Sequence, residues 1–153
     1  MMKTIRATSE NPDFQMLVSK LDQYLAIRNG ESNDFYSQFN KIDLIQHVVV
    51  AYLDDKAVGC GAIKKFDEYS MEVKRMFVLP EFRGKGIAGA VLQELEKWSE
   101  ELGMAKCVLE TGDDMADAIG LYQKSGYKRT PNYGQYEGVE GSVCFEKVLV
   151  LSP

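Results

Sequence analysis

The sequence is poor in the residues that build metal sites and hydrolase triads. It has one histidine, His47, and three scattered cysteines, Cys60, Cys107 and Cys144, with no C-x-x-C pair. Structural zinc sites need several closely spaced Cys and His ligands, so we expect no metal. The scarcity of histidine also disfavours Cys–His and Ser–His hydrolases, because both need an imidazole as general base.

Long apolar runs are missing as well. No stretch approaches the roughly 18–20 apolar residues that span a bilayer, and the start does not read as a signal peptide, so no membrane association is expected. The net charge of −5 disfavours nonspecific binding to nucleic acid. The odd number of cysteines, all in apolar surroundings, indicates reduced core thiols and hence a cytoplasmic protein.

What is present is the composition of a folded domain. The chain has 153 residues, 45% hydrophobic and 27% charged, so we expect a single domain over residues 1–153. Periodicity predicts strands at 3–7, 47–53, 57–66, 71–79, 106–110, 127–130 and 143–150, and helices at 12–29, 34–40, 87–102 and 116–125. This order predicts an α/β (α+β) fold, a mixed and mostly antiparallel sheet flanked by helices, with strand 71–79 parallel to strand 106–110.

The predicted helix 87–102 is amphipathic and is closed by Gly103. Its buried face is expected to carry Ile87, Val91, Leu95, Trp98 and Leu102. Its charged residues are expected to be merely solvated: Glu94, Glu96, Lys97, Glu100 and Glu101.

Residues 71–90 are the most informative segment, because they read as a strand, a bend containing Pro80, a glycine-rich turn and the start of a helix. Such a turn leaves N–H groups unpaired at a helix N-terminus, where the helix dipole favours negative charge. Gly84 and Gly86 lack a Cβ, so an anion can approach the main chain closely and a positive φ is allowed. The segment therefore predicts a cradle for a phosphate or pyrophosphate.

Two other anion-binding motifs fit this segment less well. A nucleotide-triphosphatase P-loop needs a Lys-Ser or Lys-Thr pair after its glycines, and none follows here. Gly84, Gly86 and Gly89 do spell the Rossmann fingerprint, and Glu110 stands where a ribose-binding acid would be, which keeps an oxidoreductase as a distant alternative. Residues 79–83 separate these glycines from their strand, however, and too little chain follows for a doubly wound sheet.

Residues 83–88, RGKGIA, resemble the R/Q-x-x-G-x-G/A signature of the GNAT superfamily of N-acetyltransferases, which bind acetyl-coenzyme A (acetyl-CoA). The resemblance extends back over residues 72–78 and forward to residues 118–127, which are similar to the family's A-x-x-L-Y-x-x-x-G-[FY] element. It implies a GNAT-like fold with a strand–turn–helix pyrophosphate cradle. It also implies an enzyme that moves an acetyl group from acetyl-CoA to a primary amine by direct attack in a ternary complex.

The resemblance implies a role for particular residues. The expected cofactor-binding residues are Met76, Phe77, Val78, Arg83, Gly84, Lys85, Gly86, Ile87, Ala88 and Tyr122. Three of them are strand residues that would use main-chain N–H groups, with the N–H of Val78 stabilising the oxyanion. Tyr122 would protonate the departing thiolate, unless it is simply a core aromatic. Glu72 is the candidate general base, directly or through water, unless it is a plain solvent-facing glutamate.

The acceptor is less well defined. In the family the acceptor pocket comes from the regions that correspond here to residues 28–42 and 131–141. In the second region Tyr133 and Tyr136 are the candidate substrate-binding residues, although the same loop reads equally as a solvated hairpin loop. The expected partner is a small-molecule amine or a peptide N-terminus, and a homodimer is left open.

Two further points concern the cofactor contacts and the choice between an enzyme and a binding module. Met115 stands where many family members carry Asn or Gln, so one expected contact with the cofactor is missing. A non-catalytic module of the same fold that binds or senses acetyl-CoA would need the glycine cradle but not Tyr122. The presence of both favours an enzyme.

Overall fold

A computed structural model of the protein describes residues 1–29 and 45–149. Its strands are β1 (Met2–Ala7), β2 (His47–Leu53), β3 (Lys56–Lys65), β4 (Ser70–Val78), β5 (Lys106–Gly112), β6 (Lys128–Thr130) and β7 (Ser142–Val148). Its α-helices are α1 (Pro12–Asn29), α2 (Ile87–Glu101) and α3 (Ala116–Lys124). The predicted helix 34–40 and the last residue of the predicted strand 143–150 lie outside the described residues.

The strands form a seven-stranded sheet in the order β1-β2-β3-β4-β5-β7-β6. The pairs β1–β2, β2–β3, β5–β7 and β6–β7 are antiparallel. Strands β4 and β5 are parallel, with a register that runs from Ser70 opposite Lys106 to Glu72 opposite Val108. The predicted mixed, mostly antiparallel sheet and the predicted parallel pair are therefore confirmed.

The chain divides into two compact units, each built from two segments. The first unit comprises Met1–Lys64 and Lys74–Leu95, and the second comprises Lys65–Val73 and Glu96–Pro153. The expectation of a single domain over residues 1–153 stays a prediction.

In the first unit, local sequence signals set the ends of α1 and of the β2–β3 hairpin. The Asn11 side chain accepts a hydrogen bond from the Phe14 N–H at 3.0 Å, which caps α1, with Pro12 as the first helical residue. The hairpin turns at Asp54 and Asp55, whose φ angles of 50° and 69° fit the two-residue turns that match strand twist. The core of the unit includes Phe14, Leu17, Val18, Leu21, Val48 and Val50.

Helix α2 buries most of its predicted face but departs from expectation at two positions. Leu102 lies beyond the helix end and is exposed, so its place on the buried face was wrong. Glu96 is buried, with its side chain bonded to the Lys147 ammonium at 2.8 Å, so the prediction of a purely solvated face was also wrong there. A buried carboxylate needs such a partner, because leaving it unpaired costs several kcal/mol.

All three cysteines are free and buried, in agreement with their interpretation as core thiols. Burial raises the pKa of the Cys60 thiol to about 12 and that of the Cys107 thiol to about 11. Both therefore stay protonated near neutral pH and are poor nucleophiles.

Candidate active site

The glycine turn joins β4 to α2 in the first unit. A short 3₁₀ helix, Pro80–Phe82, follows the strand, and Gly84 and Gly86 then both take φ angles of +80° before the helix begins at Ile87. A Cβ built on either glycine would meet no atom of the described residues within 4 Å, apart from its chain neighbours, so the space beside the turn is open in this part of the structure. The first N–H groups of α2 have no partner within the helix. The turn thus has the open, donor-rich geometry that an anion requires.

The surroundings of Gly89 distinguish this turn from a dinucleotide-binding motif. The third glycine of that motif is needed because helix and strand pack closely there. At Gly89 an added Cβ would meet nothing within 4 Å, and φ is not positive. The G-x-G-x-x-G spacing therefore lacks its usual physical cause in this chain.

Arg83 holds the end of β4. Its Nε donates to the Val78 carbonyl at 3.1 Å, and its guanidinium lies 5.9 Å from the centre of the Phe77 ring. The Leu79 N–H donates to the Val58 carbonyl at 2.9 Å. The peptide between Val78 and Leu79 is therefore bonded on both sides, which fixes the strand end that precedes the glycine turn.

Arg75, which directly precedes Met76, has a strained backbone conformation. It has a φ of +60°, which is uncommon for a residue with a Cβ and costs about 1–3 kcal/mol. Its buried guanidinium donates to the Asp22 carboxylate of α1, and its carbonyl accepts from the Cys60 thiol at 3.4 Å. These contacts stabilise the unfavourable backbone conformation of Arg75. The strand pattern of the sequence did not predict this conformation.

A second pair of glycines, Gly59 and Gly61 on β3, was not singled out from the sequence. A Cβ at Gly59 would lie 2.9 Å from Ile87 and 3.2 Å from the Phe77 carbonyl oxygen. A Cβ at Gly61 would lie 2.5 Å from the Met76 sulfur. Both glycines let β3 pack closely against its neighbours. The G-x-G pattern inside a strand was the available signal, since glycine there often marks close backbone approach.

The second unit contains the predicted acid–base and acceptor residues. Glu72 is only 6% exposed, and its Oε2 accepts a hydrogen bond from the Tyr133 hydroxyl at 2.6 Å. A plain solvent-facing glutamate, the alternative left open by the sequence, is therefore wrong. Burial, followed by the negative charge of Glu72 and the hydrogen bond to it, raises the pKa of Tyr133.

The loop after β6 is ordered by its own side chains. The Asn132 amide nitrogen lies 2.9 Å from the Ser142 carbonyl oxygen and 3.1 Å from that of Tyr136. Tyr136 is buried and meets the Tyr133 ring edge-on, with centroids 5.7 Å apart. The other interpretation of this segment, a solvated hairpin loop, is wrong for Tyr136, because its side chain is buried.

Tyr122 lies on α3 and is buried, 5.9 Å from the Tyr127 ring and 6.4 Å from the Phe145 ring. Burial is the main cause of its raised pKa, and the negative charge of Glu110 adds to it. The phenol therefore keeps its proton across the physiological range. Burial raises the pKa of Tyr136 as well, and the negative charges of Glu110 and Glu72 add to this shift, so the second unit places two carboxylates among three tyrosines.

Among residues 1–29 and 45–149 no group of three or more His, Cys, Asp or Glu side chains could hold a metal ion. No helix in the same ranges is long and apolar enough to cross a membrane.

The glycine turn at a helix start and the mixed sheet both agree with what the comparisons with known proteins find. The acetyltransferase (GNAT) family model matches residues 13–127, and the chain belongs to that family. An IAA acetyltransferase of Azospirillum brasilense is 35% identical over 135 residues, which cover 87% of this chain and 88% of that protein.

Solved structures resemble the chain over almost its whole length. A candidate acyl-CoA N-acyltransferase of Klebsiella pneumoniae has a TM-score of 0.81 at 25% identity and covers 98% of this chain and 99% of its own. A GNAT acetyltransferase of Elizabethkingia anophelis with acetyl-CoA bound has a TM-score of 0.69 at 20% identity, covering 97% and 98%. The predicted family and fold are confirmed.

Proposed function

We propose that this GNAT protein is an N-acetyltransferase that moves an acetyl group from acetyl-CoA to a primary amine by direct attack. The observation that carries the proposal is the glycine turn. Gly84 and Gly86 share the left-handed φ of +80°, and the space beside both is open. The turn fits the pyrophosphate of acetyl-CoA through main-chain N–H groups of residues 84–88, with Arg83 and Lys85 supplying positive charge.

The chemistry then follows from a simple balance of bonds and protons. The amine nitrogen attacks the thioester carbonyl, the new N–C bond forms, and the C–S bond breaks. The Val78 N–H, next to the peptide that Arg83 holds, stabilises the negative charge on the carbonyl oxygen, with Met76 and Phe77 binding the adjoining arm. Such a donor contributes about 3–4 kcal/mol in well-studied enzymes.

Two side chains of the second unit move the protons in this proposal. The Glu72 carboxylate accepts the proton lost by the amine, directly or through water. Tyr122 donates its phenolic proton to the departing thiolate, and its raised pKa keeps the phenol in the protonated form at neutral pH. The loop that carries Tyr133 and Tyr136 forms the acceptor side. The acceptor is a small-molecule amine or a peptide N-terminus, and the free buried cysteines favour a cytoplasmic location.

The test is a single-turnover assay that follows thiol release and the acetylated amine together across a panel of amines. We expect Tyr122→Phe to bind acetyl-CoA about as tightly as the wild type but to transfer the acetyl group on the order of 10²–10⁴-fold more slowly, because one hydroxyl is lost and the ring remains. Tyr69→Phe, at a tyrosine that is 66% exposed, is the matched control.

Three outcomes are informative. Wild-type rates for Tyr122→Phe would make Tyr122 a core aromatic. Tight binding of acetyl-CoA without transfer to any amine would identify a non-catalytic sensing module instead. Failure to bind acetyl-CoA at all would contradict the proposed function.

A further inference from the structure

Glu72 and Tyr133 are 61 residues apart in the sequence, yet their side chains form one of the shortest hydrogen bonds in the second unit. The Tyr133 hydroxyl donates to Glu72 Oε2 at 2.6 Å, and Glu72 is 6% exposed. A hydrogen bond to a buried carboxylate is stronger than one between neutral groups. The contact therefore restricts the orientation of the Glu72 carboxylate.

The Tyr133 ring is itself held on two sides. The Phe66 ring meets it edge-on with centroids 4.8 Å apart, and the Tyr136 ring does so at 5.7 Å. Gly134 follows with a φ of +51°, and a Cβ there would lie 3.2 Å from the Phe66 ring, so a side chain at this position would be strained and tightly packed against Phe66. Asn132 bonds the loop to the Ser142 carbonyl. The phenol is thus positioned before any substrate arrives.

The surroundings keep the phenol a donor. Burial and the charge of Glu72 raise the pKa of Tyr133. Burial, together with the negative charges of Glu110 and Glu72, likewise raises the pKa values of Tyr136 and of the Cys144 thiol. Tyr133 is therefore protonated and bonded to the carboxylate, and its hydroxyl is already engaged.

We propose that Tyr133 is a positioning residue whose phenol holds the Glu72 carboxylate in the orientation in which it accepts the proton of the attacking amine. The inference rests on the proposed function and gives Tyr133 a different part from the one expected from sequence, which was to contact the amine itself. Tyr133 acts through Glu72. Removal of the Tyr133 hydroxyl should reduce the rate of acetyl transfer and leave the affinity for the amine almost unchanged.

A double-mutant cycle with Tyr133→Phe and Glu72→Gln tests this coupling. Tyr133→Phe keeps the ring contacts and removes only the hydroxyl. We expect it to lower kcat on the order of 10–100-fold, with the KM values for amine and acetyl-CoA within about twofold of wild type, because a misplaced catalytic group costs rate. In the Glu72→Gln background the same change should cost less than about twofold in kcat.

Thermal melting of all four proteins separates positioning from loss of fold. Equal losses of kcat from Tyr133→Phe in both backgrounds would show that the hydroxyl acts independently of Glu72 and would overturn the inference. A raised amine KM with unchanged kcat would show direct contact with the amine and would overturn it too. A wild-type kcat for Glu72→Gln would show that Glu72 is not the base, so Tyr133 would have no base to position and the inference would be overturned. A wild type that acetylates no amine would contradict the proposed function itself.

Discussion

Two glycine pairs with the same spacing, Gly59–Gly61 and Gly84–Gly86, are required for opposite physical reasons. The β3 pair is crowded, since added Cβ atoms would lie 2.5 to 3.3 Å from neighbouring atoms, and φ is ordinary at both positions. The turn pair has open space and a φ of +80° at both positions. The sequence pattern G-x-G is the same in both. One pair allows dense packing, and the other leaves open space beside the main chain.

The comparison predicts that the largest loss of stability comes from the crowded pair. Gly61→Val should reduce the free energy of unfolding by about 3 kcal/mol, because the new methyl groups would overlap Met76, Val91 and Leu95. Chemical denaturation measures the loss. A loss below about 1 kcal/mol would mean that the flexible ends of these side chains move aside, and the contrast between the two pairs would be weaker than proposed.

A medium effect of a different kind is expected at the turn. Gly86→Val should weaken acetyl-CoA binding on the order of 30-fold, about 2 kcal/mol, because the side chain would enter the space of the pyrophosphate. It should also cost about 1–2 kcal/mol of stability, because a residue with a Cβ is strained at this φ. The stability loss is measured by denaturation and the affinity by calorimetry on the folded variant.

The smallest effect should come from Gly89, which is neither crowded nor at positive φ. Gly89→Ala should stabilise the protein by about 0.5–1 kcal/mol, because alanine loses less conformational entropy than glycine in a helix. A destabilised variant would show that helix and strand pack closely there, as a dinucleotide-binding motif requires.

Local signals explain why much of the fold could be predicted. Asn11 and Pro12 start α1, Gly103 closes α2 with a φ of +82°, and the apolar spacing along α2 identifies Ile87, Val91 and Leu95 as buried. These features depend on residues within one or two turns of one another. The glycine turn was predictable for the same reason, since strand, glycines and helix are contiguous.

Contacts between distant residues explain what could not be predicted. Glu96 reads as a surface residue until Lys147, 51 positions later, is placed beside it. The bond from Tyr133 to Glu72 spans 61 positions, and the left-handed Arg75 depends on Asp22. No periodic pattern carries such pairings. They include the polar contacts on which the proposed chemistry depends.

The central claim is that the turn at Gly84 and Gly86 binds the pyrophosphate of acetyl-CoA. Calorimetric titration of acetyl-CoA into wild type, Gly86→Val and Gly103→Val tests it most directly, because Gly103 has nearly the same φ, +82°, and the same open space at the other end of α2. Both variants should lose similar stability, since their backbone strain is alike. We predict a Kd raised on the order of 30-fold for Gly86→Val and within about twofold of wild type for Gly103→Val. Equal Kd values for the two folded variants would contradict the claim.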